Sequence, residues 1–125
     1  MKSKTAKEAR RVLIIEDEGD LCLLLNLLLD EKGMEVDHVQ SLARAEEYLL
    51  QEKPTLILLD NRLPDGFGVD FLSFIKKQHP ETKVIMISGV DAAARDVAIE
   101  NGADTFLKKP FTKAELFQSV VGLLN

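Results

Sequence analysis

The chain has 125 residues, 46% of them apolar and 30% charged, with a formal net charge of −5. That is the length of one domain with enough apolar mass for a core, and the acid excess argues against direct binding of nucleic acid. One cysteine, Cys22, excludes an internal disulfide and a cysteine-only metal cluster; within a leucine-rich run it reads as a small packing residue, in keeping with a reducing cytoplasm.

Residues 1–10 are expected to form a basic flexible tail, and residues 11–125 one domain. No apolar stretch of signal-peptide form follows MKSKTAKEARR, and LCLLLNLLL falls short of the roughly 20 residues of a bilayer span, so neither secretion nor membrane contact is expected. RVLIIED reads as a strand with acids at its exit. LCLLLNLLLDEKG reads as a helix stopped by Gly33. Placing Leu21, Leu24, Leu25 and Leu28 against the sheet leaves Leu23 and Leu27 on a flank near solvent, either as extra core or as a docking surface for a partner helix. EVDHV has the mixed polarity of an edge strand, and Ser41 can cap the helix SLARAEEYLLQE, which Pro54 ends.

TLILLD is apolar up to Asp60, as expected of a central strand covered on both faces. VDFLSFIKKQH has helical spacing with Phe71, Leu72 and Ile75 inward. KVIMISG is the next buried strand, Asp91 can cap AAARDVAIENG, which Gly102 closes, and DTFLKK is the fifth strand. Thr112 and Glu115 have capping-box spacing at the start of the last helix. Strict alternation of strands and helices implies right-handed crossovers and a doubly wound α/β sheet, parallel and covered on both sides, whose ligands bind beyond the carboxyl ends of its strands.

Glu16 and Asp17 end the first strand, Asp60 the third, Ser88 the fourth, and Lys108 and Lys109 the fifth. Singly, each has an ordinary role as a cap, a turn hydroxyl or a solvated charge. Together the acids suit a hard cation such as Mg²⁺, and a lysine opposite them suits a phosphoryl group held between metal and ammonium.

With its acidic pair, D-x-x-L-P-D-G-x-G, I-S-G and F-L-K-K-P-F in order, the sequence resembles the receiver domain of two-component response regulators from Arg11 to Leu124. The resemblance implies a flavodoxin-like sheet of order 2-1-3-4-5 and makes Asp60 the phosphoacceptor. It implies that Asp17, Asp60 and the main-chain carbonyl of Arg62 ligate Mg²⁺, with Glu16 acting directly or through water, and that Lys109, before a cis Pro110, pairs with the phosphoryl group. Ser88 and Phe106 are the implied switch on the face of the fourth helix, fifth strand and fifth helix, although Phe106 lacks a tyrosine's hydroxyl. A histidine kinase or histidine phosphotransfer protein is the implied donor, an output domain or protein the implied target, and the only chemistry catalysed is the domain's own phosphorylation and dephosphorylation. Arg62 and Val90, two residues beyond Asp60 and Ser88, offer attacking water no base, so slow hydrolysis is expected. ELFQSVVGLLN lacks the basic residues that one subgroup uses for salt-bridged dimers.

The alternatives are a Mg²⁺-dependent aspartyl-phosphate hydrolase, a flavin module and a phosphorylation-independent docking module. The hydrolase would carry its nucleophile on the first strand, and acids at the first strand end would repel a flavin phosphate.

Overall fold

A computed structural model describes residues 10–89 and 92–124, and of residues 92 and 93 the backbone alone. Residues 1–9 of the expected tail, Val90 and the proposed cap Asp91 lie outside the described residues. Five strands alternate with five helices: β1 (Arg11–Ile15), α1 (Gly19–Asp30), β2 (Glu35–Val39), α2 (Leu42–Gln51), β3 (Leu56–Asp60), α3 (Gly68–Gln78), β4 (Lys83–Ser88), α4 (Ala92–Glu100), β5 (Thr105–Lys108) and α5 (Lys113–Leu124). All pairings in the main sheet are parallel and its order is β2-β1-β3-β4-β5, so EVDHV is an edge strand and TLILLD is central, as expected. A two-residue ladder of Arg62–Leu63 with Gly66–Phe67, invisible in the apolar pattern, follows β3.

Every residue of β3 is buried, and alternate residues serve opposite layers. Ile57 and Leu59 pack with Leu13, Ile15, Ala45, Leu49, Phe71, Leu72 and Ile75 beneath α2 and α3. Leu56 and Leu58 pack with Val12, Ile14, Leu25, Leu29, Leu116 and Val120 beneath α1 and α5. This is the three-layer α/β/α arrangement.

The caps are local. Arg44 N–H donates to Ser41 Oγ at 3.2 Å, and Thr112 and Glu115 exchange backbone-to-side-chain bonds of 2.8 and 3.0 Å. Gly33, at φ +79°, closes α1 in the left-handed region.

One expectation changes. In α1 the sheet-facing residues are Cys22, Leu25 and Leu29, with Leu21 and Leu28 half-buried and Leu24 48% exposed. With Cys22 facing inward beside Leu25 and Leu29, where its Sγ also lies 3.2 Å from the Glu16 carbonyl, Leu24 faces outward. At the boundary of the expected tail, the Arg10 guanidinium donates to the Leu124 carbonyl at 2.7 Å, and the Arg10 carbonyl accepts Glu35 N–H at 2.9 Å.

Candidate functional site

The parallel pairings bring the carboxyl ends of β1, β3, β4 and β5 to one rim. Glu16, Asp17 and Asp60 each bring a carboxylate oxygen there, all within 4.8 Å of one another; Glu16 and Asp60 are buried and Asp17 is exposed. Lys109 Nζ lies 3.0 Å from Asp60 Oδ1 and 3.5 Å from Glu16 Oε1. Its backbone is held by a 2.8 Å bond from Lys109 N–H to the Ser88 carbonyl, and the Lys109–Pro110 bond is cis.

The charges are held against their solvation preferences. Burial raises the Asp60 pKa, and the hydrogen bond and charge of Lys109 only partly offset it. Burial and then the charge of Asp60 raise Glu16, while its Oε2 accepts Glu18 N–H at 3.1 Å. For Lys109, burial works against the charged form, but Asp60 and Glu16 prevail and raise its pKa. One ammonium thus faces three clustered acids, and an all-oxygen set with excess negative charge suits a hard divalent cation. Burial, followed by these same acids, pushes the Cys22 thiol up to about 11, consistent with a packing role.

Ser88 ends β4 and is buried, whereas Lys108 points outward as an exposed neighbour of Lys109. Arg62 begins the short ladder after Asp60, with its side chain exposed. Phe106 is half-buried beside a cleft lined also by Asn61, Val69, Met86, Ser88, Ala94, Val97 and Ala98. Leu23 and Leu27 are 60% and 61% exposed, so the extra-core reading of that flank is set aside. The outward turn of Leu24 adds an apolar groove of about 420 Å³, lined by Glu18, Leu21, Leu24, Lys109, Pro110 and Phe111, directly beside the acids.

Three supporting residues escaped the sequence reading. Asp65 accepts the N–H groups of Leu42 and Ala43, both at 2.9 Å, capping α2 from across the fold; those bonds lower its pKa. Asn61 Oδ1 accepts Val69 N–H at 3.1 Å and so ties the start of α3 to the end of β3. A Cβ on Gly68 would lie 2.3 Å from the Asp60 carbonyl oxygen, so only glycine permits this approach. The Asp and Gly residues after β3 signalled a turn, but not what it touches.

Among known proteins, the family described as "Response regulator receiver domain" matches residues 12–121. Response regulator protein PilR of Pseudomonas aeruginosa is 35% identical over 119 residues, covering 93% of this chain and 26% of the relative. Alkaline phosphatase synthesis transcriptional regulatory protein SphR of Synechococcus elongatus is 33% identical over 130 residues, covering 96% of this chain and 51% of the relative. The chain therefore spans between a quarter and about half of these relatives. A two-component response regulator from Clostridium difficile superposes with TM-score 0.88 at 26% identity, covering 92% of this chain and 95% of that one. The beryllofluoride-activated NtrC4 receiver domain dimer gives 0.86 at 34%, covering 90% and 94%.

Proposed function

Since the chain belongs to the response regulator receiver domain family, a family of signalling modules rather than conventional enzymes, we propose that Asp60 is its phosphoacceptor, charged by a histidine kinase or histidine phosphotransfer protein. The observation that carries this reading is the pairing of Asp60 with Lys109 at 3.0 Å within a group of three carboxylates. In the transfer, an Asp60 carboxylate oxygen attacks phosphorus in line, the phosphorus–nitrogen bond of phosphohistidine breaks, and its electron pair returns to the imidazole. Lys109, released from Asp60, donates to the phosphoryl oxygens.

Asp17, Asp60 and the Arg62 carbonyl would hold Mg²⁺, with Glu16 directly or through water. When bound, the ion supplies positive charge for the phosphoryl oxygens. The three-carboxylate oxygen set, with two pKa values raised by burial and like charge, fits such an ion. Ser88 hydrogen-bonds the phosphoryl group in this reading, and Phe106 turns inward to repack the face of α4, β5 and α5, so phosphorylation selects one of two packings. The output is a domain or protein that reads this face. Beryllofluoride activation of the related NtrC4 receiver supports an acceptor that responds to a phosphoryl-like group.

Exposed Leu23 and Leu27, with Leu24, which lines the groove of Pro110 and Phe111 beside Lys109, form the docking surface for the donor's helix. The setting is the cytoplasm; among the described residues no helix is long and apolar enough to cross a membrane. The hydrolase alternative expects its nucleophile on the first strand, whereas Asp60 ends the third.

The test is labelling by a small phosphodonor with Mg²⁺, read by intact mass. The parent should gain one phosphoryl group and Asp60→Asn none. A labelled Asp60→Asn protein would disprove the assignment, as would Asp17→Ala with unchanged Mg²⁺ affinity.

A further inference from the structure

We propose that the cleft beneath α4 is a binding site for a small, neutral, single-ring apolar ligand, whose occupancy opposes the inward turn of Phe106. The cleft has a volume of about 170 Å³ and is lined by Asn61, Val69, Met86, Ser88, Ala94, Val97, Ala98 and Phe106. A protein cavity of about 150 Å³ with aliphatic and aromatic walls is large enough to hold benzene and too apolar to hold water well. Here six of the eight lining residues are apolar, and Asn61 and Ser88 supply the polar ones. The cleft is open to solvent on the side of Val97, which is 46% exposed, so an apolar ring entering it gains by covering the aliphatic walls from water.

The space is encoded by small side chains. Ala94 and Ala98 stand one turn apart on α4, so the helix presents methyl groups where leucines would fill the gap. The opposite walls are firm: Met86 is 1% exposed in the central core, and Val69 N–H is held by Asn61 Oδ1 at 3.1 Å. Phe106 is the half-buried residue at the edge, packed against that core. A ring of benzene size in the cleft occupies volume that an inward Phe106 would need, so the two compete. This second half rests on the switch role proposed above; the binding site itself does not.

The experiment titrates the full chain with benzene and with indole, followed by amide NMR and by thermal melting. Saturable shifts at Val69, Met86, Ala98 and Phe106, with a raised melting temperature, are expected. Ala98→Leu should weaken benzene at least tenfold, and Ala94→Val serves as a milder filling variant should Ala98→Leu fail to fold. Absence of saturable shifts in the parent, or equal affinity in a folded filled variant, overturns the site. With Mg²⁺ and beryllofluoride bound, benzene affinity should fall severalfold; unchanged affinity overturns the competition with Phe106. If beryllofluoride causes no change in ligand-free protein, the acceptor reading has failed, and titration of the untreated chain still decides the site.

Discussion

Gly68→Ala should damage the proposed acceptor without altering Asp60, Lys109 or Ser88 themselves. The new Cβ would stand 2.3 Å from the Asp60 carbonyl oxygen, 3.0 Å from Leu59 Cγ and 3.2 Å from the Asp60 carbonyl carbon. Even a close carbon–oxygen contact needs about 3.3 Å, so α3 and the end of β3 must separate by about 1 Å. Two of the three obstructing atoms are backbone, and overpacking of this kind costs about 1–3 kcal/mol. Taking about 2 kcal/mol and about 4 °C per kcal/mol for a chain of this size, the melting temperature should fall by about 8 °C. If the strain instead retracts Asp60 from Lys109, transfer suffers more than stability, since a 1 Å misplacement can slow a reaction about 100-fold. Thermal melting and small-donor labelling are measured side by side, with Gly122→Ala as the control. Its Cβ meets nothing within 4 Å inside α5 and should stabilise by about 0.5–1 kcal/mol. A Gly68→Ala protein that melts with the parent and labels at the parent rate would refute the argument that this close approach positions the acceptor.

Asp104→Ala removes an acceptor shared by Lys76 Nζ, which keeps the Thr82 carbonyl, and Val84 N–H, each at 2.8 Å, and should cost about 1–3 kcal/mol in urea unfolding; Asp104→Asn, which can still accept from Val84, should cost less, and equal losses would contradict that division. Asp60→Asn should raise the melting temperature at neutral pH in a chelator: a carboxyl whose folded pKa is raised penalises folding above that pKa, and the penalty vanishes as pH falls toward its ordinary value, so the advantage must shrink in acid. Tyr48 is the one tyrosine in a chain without tryptophan, and burial with its 2.7 Å bond to Asp37 pushes its phenol up to about 12, so absorbance titration should place its midpoint near that value and Asp37→Asn should lower it. Because the fold favours neutral Tyr48, stability should decline as pH rises past the unfolded phenol's value of about 10. Leu23→Ala and Leu27→Ala should slow transfer from the donor protein while leaving melting temperature and small-donor labelling intact; a fall mainly in melting temperature would remove them from the docking surface.

The parallel, doubly wound sheet was legible because strands and helices alternate strictly, its strand order came from the family resemblance, and the rim was legible because charges after apolar runs mark strand ends. The α1 stripe was not. Seven of the nine residues from Leu21 to Leu29 are leucine, so the pattern has little contrast with which to orient the helix. The face that is buried carries Cys22 with Leu25 and Leu29, and the Cys22 Sγ bond to the Glu16 carbonyl accompanies it, a contact that apolar spacing cannot report. The role of Asp65 was hidden by distance: the amides it caps lie 22 and 23 residues earlier.

The residues between β3 and α3 are best understood together. Asp65 is committed to α2, Asn61 to the first turn of α3, and Gly68 lets that turn press against the carbonyl of Asp60. The Asp60 carboxylate, the proposed acceptor, therefore stands on backbone held from two helices, while Lys109 approaches from β5. Such an arrangement matters because a buried carboxylate with a raised pKa tends to relax away from its neighbours or take up a proton. Bracing the backbone limits the first escape, and the ammonium 3.0 Å away opposes the second. The apolar strand and the turn after it thus serve one end: to hold Asp60 charged and in place where solvation alone would not.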